Sequence, residues 1–361
     1  MRRELCALLS GAEARADNDR LTDLVALARI QRVHLIVATR LARLTPRPRG
    51  RAYEELAVEA RVEALRDTLR VQELERVTAA LEAEGCAPVV FKGAALALTH
   101  YPDAWLRPRV DADILVDPER RARAASTLGA LGYTRPPMTS GRYVMHQEMH
   151  VRVDPNVGEH VVDLHWRLAN PNLLAGLPPH AGLRARAVTA GSHGGIRVAS
   201  PADALVIACV HRAAHHAGSD ELLWFYDIHL VAARLSVEEW ALAVRLARQA
   251  GVAALVRRGL ELAADAFGPS GSPSAIEALA MASGEASAVF LHADLRPLDR
   301  VRADMAALGA ARGARLVAEH LFPPPSYMRE KYGLRSDALL PLAYARRIVG
   351  GAGSWFRRGQ S

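Results

Sequence analysis

The chain has 361 residues, half of them hydrophobic and about a quarter charged, and its 46 basic and 39 acidic residues give a formal charge of +7. That composition excludes a disordered, collagen-like or disulfide-scaffold protein and predicts an ordinary globular chain of two or three domains. The positive balance admits an anionic partner, but the excess is spread along the chain without a basic block interleaved with aromatics, which argues against nucleic acid.

Three widely separated cysteines, Cys6, Cys86 and Cys209, fit a reducing compartment better than a disulfide framework. The first twenty residues do not read as a signal peptide, and no apolar run reaches the ~18 residues of a membrane span, so a cytoplasmic protein is expected.

Apolar residues recur at three- and four-residue spacing from Thr22 to about Arg43 and from Arg51 to Glu84, which predicts helices joined by the Pro/Gly segment Leu44 to Gly50. Gly85 is placed as the stop of the second. The pattern then changes. Ala87 to Phe91 is a short strand rich in β-branched residues, a helix follows from Gly93, Tyr101 to Arg109 is a loop, and Asp111 to Val116 is a second strand. A helix begins at Pro118. The segments 143–153 and 159–168 flank the turn-forming DPNVG and predict an antiparallel hairpin. From Pro201 onward the chain reads as helical, with breaks at Gly268 to Ser274 and Phe322 to Ser326.

The expected fold is α+β: a small mixed sheet between N-terminal and C-terminal helical segments. It divides into an N-terminal helical region (1–85), an α/β core (86–200) and a C-terminal helical domain (201–361).

Strand alternation puts Asp111 and Asp113 on one face. Two carboxylates there are unfavourable unless a cation sits between them, and a hard divalent ion such as Mg²⁺ takes oxygen ligands of this kind. Asp163, another acid inside an apolar strand, is a third candidate ligand if its hairpin strand lies beside the first. The competing reading has Asp111 capping a loop, Asp113 paired with Arg107 or Arg109, and Asp163 facing solvent.

The strand–Lys92–Gly93–helix unit suits a phosphate. Glycine permits close backbone approach, the helix start offers free N–H groups, and lysine adds a point charge. Lys92 is conspicuous because only one other lysine, Lys331, occurs in the chain.

The segment FKGAALALTHYPDAWLRPRVDADILVD followed by VVDLHWRL resembles the uncharacterised nucleotidyltransferase family of the DNA-polymerase-β-like superfamily. The elements that carry the resemblance are Lys92-Gly93, then Arg107, Asp111, Asp113, Leu115 and Val116, then Asp163, His165 and Trp166. The match is good over roughly 86–170 and looser through HRAAHHAGSDELLWFYDIHLV and LFPPPSYMREKYG. The resemblance implies a nucleotidyltransferase using ATP or another nucleoside triphosphate, with two Mg²⁺ ions on Asp111, Asp113 and Asp163. Lys92, Gly93 and Arg107 would hold the triphosphate. Gly93-Ala94 stands where the wider superfamily has Gly-Ser, so a hydroxyl contact to phosphate is missing and Lys92 is expected to compensate.

The function expected is transfer of a nucleoside monophosphate, AMP from ATP, to an acceptor that is a small molecule or peptide. A non-catalytic nucleotide-binding scaffold or regulatory subunit of the same fold is the rival.

Of the remaining clusters, His211 and His215 are four residues apart on one predicted helix, with His216 beside them. Without an H-E-x-x-H arrangement they read as cleft residues rather than a zinc site, and His165 joins them as a possible cleft residue. Asp227, in an otherwise apolar helix, is expected to pair with one of these histidines. The basic tail with Trp355 and Phe356 reads as a frayed end or a weak surface contact.

Overall fold

The computed structural model describes residues 1–11, 20–45, 47–191, 193–216, 219–281, 284–292 and 295–356, with side chains to residue 350. The side chains of Trp355 and Phe356, and the chain beyond them, lie outside the described residues.

Four helices open the chain: α1 (Arg2–Leu9), α2 (Leu21–Ile30), α3 (His34–Ala42) and α4 (Arg51–Ala83). The 33-residue α4 ends where the sequence places its stop: Gly85 is left-handed at φ +66°. Its N–H reaches Glu82 O, and that of Cys86 reaches Leu81 O, the paired bonds that satisfy the last carbonyls of a helix. The first half of α4 packs Leu56 and Ala60 against α2 and α3, and its second half lays Leu74, Val77 and Leu81 on the sheet.

The six strands are β1 (Val89–Phe91), β2 (Asp111–Leu115), β3 (Gln147–Asp154), β4 (Gly158–His165), β5 (Val188–Thr189) and β6 (Arg197–Val198). They form one mixed sheet in the order β3-β4-β2-β1-β6-β5. The β3–β4 hairpin and the β1–β2 pair are antiparallel, whereas β2 runs parallel to β4 and β1 parallel to β6. The two-residue strands β5 and β6 have no sequence signal of their own and exist through pairing with β1 and each other.

Helix α5 (Lys92–Thr99) starts one residue before the expected Gly93, and α6 (Arg121–Ala130) is entered through a 3₁₀ turn over Pro118–Arg120. Asp117 caps that turn by accepting from the Glu119 N–H. A second 3₁₀ turn, Ala104–Leu106, interrupts the expected loop.

Alternation splits the sheet into two faces. Val90, Ile114, Val162, Leu164 and Val198 meet the second half of α4 with α6 in one core. Val89, Phe91 and Leu115 enter the other, which is built mainly from helices. After α7 (His180–Arg186), that second core is supplied by α8 (Pro201–His215), α9 (Leu222–Ala232), α10 (Val237–Gln249) and α11 (Ala253–Phe267). Ser200 and Pro201 start α8: the serine hydroxyl oxygen accepts from the Asp203 N–H, and proline fills the first helical position. Among the described residues, five further α-helices lie between Pro273 and Phe356. No helix among the described residues is long and apolar enough to cross a membrane.

Two buried arginines just ahead of β2 tie these layers together. Arg107 makes a forked bond to Asp227 of α9, with Nε 2.9 Å from Oδ1 and Nη2 2.7 Å from Oδ2. The Tyr101 hydroxyl donates to the same Oδ1 at 2.7 Å. Arg109 pairs with the buried Asp67 of α4. The alternative that either arginine neutralises Asp113 is therefore wrong, and so is the expectation that Asp227 pairs with a histidine. A planar guanidinium satisfies a buried carboxylate through two parallel bonds, which an imidazole cannot do.

Removing one member of a buried pair strands the other charge, at a cost of roughly 3–5 kcal/mol. Asp227→Ala should lower chemical-denaturation stability by about that amount. Glu55→Ala, which removes the exposed Arg51–Glu55 pair, should leave the denaturation midpoint unchanged.

Candidate active site

Asp111 and Asp113 share one face of β2, and the parallel register sets Asp113 directly across from Asp163 and Asp111 across from Val161. The same registers bring Phe91 opposite Asp113 and Gln147 opposite His165, all on that face. Unpaired carboxylates directly opposite each other repel, and the neighbouring side chains answer that charge.

The chain leaves β1 through Lys92, whose φ of +54° is left-handed, a region that side-chain-bearing residues seldom occupy. From there Lys92 Nζ donates to Asp113 Oδ1 at 2.7 Å. His165 Nε2 approaches the same oxygen at 2.8 Å, its ring held edge-on against Phe91. Across the strand, Gln147 Nε2 donates to Asp163 Oδ2 at 2.9 Å and is itself fixed by Asn170.

Burial pushes the Asp113 carboxyl up, but the Lys92 ammonium and the His165 bond outweigh it and hold the group well below the usual carboxylate range. Asp163 goes the other way. Burial, then the charges of Asp113 and Asp111, push it up to about 6. Asp111 is also raised, by burial and by Asp113. His165 falls to about 4 through burial and the nearby Lys92 charge, so its neutral ring donates to an ionised Asp113.

Asp113, Asp163 and His165 each present a ligand atom within 4.8 Å of the others, the one such group among the described residues. Asp111 stands outside it but lines the same cleft. That cleft holds about 480 Å³. Its floor carries Lys92, Gly93, Asp111, Asp113 and Asp163, and its far wall carries His211, His215, His216 and Trp224. The histidines are held neutral: burial, with Lys92 next, lowers His215 to about 4 and holds His211 well below its ordinary value. His216 stacks on Trp224, and His211 meets that ring edge-on.

The sequence-derived candidates are thus distributed unevenly. Lys92, Gly93, Asp111, Asp113, Asp163, His211 and His215 line the cleft, whereas His165 lies behind Asp113 and supports it. Arg107 borders the cleft but spends its Nε and Nη2 on Asp227. Asp163 does not face open solvent; it faces the cleft and Gln147. Trp166 lies under Arg121, with the guanidinium 3.8 Å from the ring centroid. Ala94, at the position of the expected hydroxyl, is packed in the core between α4 and the sheet and is absent from the cleft wall.

Four cleft residues have no distinguishing pattern in the sequence: Arg32, Gln147, Asn170 and Trp224. Gln147 could have been found by extending the hairpin register to His165. Trp224 reads as core because it sits in an apolar helix, and it is largely buried there as well.

The model of a family described as "Uncharacterised nucleotidyltransferase" matches residues 17–268, a span containing every residue that lines the cleft. No curated protein matches the chain.

A carboxyl raised on folding favours the folded state below its unfolded value and loses that contribution as pH rises through its folded value. Asp163 should therefore cost the metal-free protein stability as pH rises through about 6. The neutral buried histidines act in the opposite sense, so the quantity to measure is the melting-temperature difference between Asp163→Asn and wild type. It should grow in the mutant's favour from pH 5 to pH 7; a pH-independent difference contradicts the assignment.

Proposed function

Because the chain belongs to the uncharacterised nucleotidyltransferase family, we propose that it transfers a nucleoside monophosphate, AMP from ATP, to a small-molecule or peptide acceptor. The observation that carries this reading is the parallel register placing Asp113 beside Asp163 at the floor of a cleft, with Asp111 on the same face. The oxygen-rich donor set suits a hard divalent cation. Mg²⁺ held by Asp113 and Asp163, with Asp111 beside them, would supply charge neutralisation to phosphate oxygens during in-line displacement.

The remaining roles belong to the chain. Lys92 and the first N–H groups of α5 receive the phosphates, because the cleft reaches Lys92 and Gly93 where the helix begins. Gly93 leaves room beside that backbone for the Arg107 guanidinium. Asp163, whose carboxyl is raised to about 6 in the metal-free protein, would help deprotonate the acceptor hydroxyl, directly or through the metal it helps hold. Arg107, fixed by Asp227, contributes positive potential at the cleft edge.

A second reading, a nucleotide-binding subunit without turnover, is favoured by the buried Ala94 and by the ammonium already neutralising Asp113. Calorimetry with a non-hydrolysable ATP analogue, with and without Mg²⁺, and pyrophosphate release from ATP separate these readings.

On the enzymatic reading, Asp163→Asn lowers pyrophosphate release at least ~10²-fold, the contribution typical of a positioned general base. Asp111→Asn should weaken the Mg²⁺-dependent part of analogue binding about tenfold or more, in line with ~1.4 kcal/mol of lost interaction. Analogue affinity that ignores Mg²⁺ and survives both substitutions, with no pyrophosphate released, would count against the enzymatic reading and leave the binding one.

A further inference from the structure

Each arginine just ahead of β2 is locked to a buried carboxylate, whereas the lysine at the end of β1 is bonded to a carboxylate of the candidate metal group itself. Lys92 Nζ lies 2.7 Å from Asp113 Oδ1, the same oxygen that accepts from His165. The Lys92 side chain is 12% exposed, and the residue lines the cleft beside Gly93.

We propose that Lys92 is an exchangeable counter-cation. In the free protein it stands in for the metal at Asp113, and it swings onto the phosphates when nucleotide and metal arrive together. This inference rests on the nucleotidyltransferase reading and adds to it the coupling of the two ligands.

Three features support the exchange. An ammonium and a divalent ion on one carboxylate oxygen repel strongly, so metal without nucleotide must displace Lys92 with no phosphate to receive its charge. A triphosphate provides that destination, because α5 begins at Lys92, and Lys92 and Gly93 line the same cleft. Lysine is the cation for such a move: a point charge on a flexible four-carbon stem, unlike a guanidinium locked in a fork. Coupling of this kind is reciprocal: whatever factor nucleotide adds to metal affinity, metal adds to nucleotide affinity.

Only Lys92 and Lys331 carry side-chain ammonium groups, so lysine labelled at Nζ gives two resonances in the intact protein. Mg²⁺ alone at millimolar concentration should leave the Lys92 signal in place, and Mg²⁺ with a non-hydrolysable ATP analogue should move it while Lys331 stays unchanged. A Lys92 signal unmoved by Mg²⁺ and analogue at saturation overturns the exchange.

In Lys92→Met, Mn²⁺ binding without nucleotide should tighten at least tenfold over wild type, and the enhancement of Mn²⁺ affinity by analogue should shrink by a similar factor. Unchanged or weaker Mn²⁺ affinity in the folded variant overturns the exchange but leaves the nucleotidyltransferase reading standing. If Lys92→Met does not fold, the lysine resonances of the wild type decide. Wild type that binds neither Mn²⁺ nor analogue overturns both.

Discussion

Asp113 and Asp163 face each other across two parallel strands in the middle of a mixed sheet, and most of the polar architecture nearby answers that one juxtaposition. Lysine and histidine converge on one carboxylate, glutamine holds the other, and the two groups are driven to opposite protonation tendencies. Separating two acids in this way gives a site one permanent anion and one group that can take a proton near neutral pH. The sheet is the source of the arrangement: a register slip of one residue on β4 would send Asp163 to the opposite, apolar face.

The division of labour among cations follows from their chemistry. Arg107 and Arg109 hold the segment ahead of β2 to α9 and α4 through buried carboxylates, so they act as rivets between layers. Buried pairs of this kind add little net stability but fix geometry, because any other arrangement strands a charge. Here they hold the segment leading into the strand that carries both Asp111 and Asp113, Arg109 tying it to the N-terminal helices and Arg107 to the C-terminal ones.

Much of the architecture was legible in the sequence because it rests on local patterning. Periodicity and a single glycine marked α4 to within a residue, and alternation marked β2 and the β3–β4 hairpin. The three acids were found the same way, since charged residues inside apolar strands conflict with burial. Pairings across long sequence distances were not legible. Arg107 and Asp227 are 120 residues apart, and nothing local distinguishes Asp227 from an acid paired with a neighbouring histidine. Strands β5 and β6, of two residues each, are too short to carry a period. His165 was assigned to the cleft when it lies behind Asp113, because a motif gives order along the chain and not depth. Gln147 and Asn170 carry no signal beyond the register that places them.

Gly93 shows how one position can answer to two demands at once. It lines the cleft at the start of α5, and the space its missing side chain leaves is filled by Arg107, whose Nη1 a β-carbon at Gly93 would strike. The arginine could not retreat without leaving Asp227, and α9 would lose its anchor. The glycine is thus required by interlayer docking whether or not a phosphate ever binds. A descendant that had abandoned nucleotide altogether would still be confined to Lys-Gly or its like at this turn. The glycine is therefore poor testimony to activity when related chains are sorted by sequence; Asp111 and Asp163, which line the cleft and carry no interlayer ion pair, are the better witnesses.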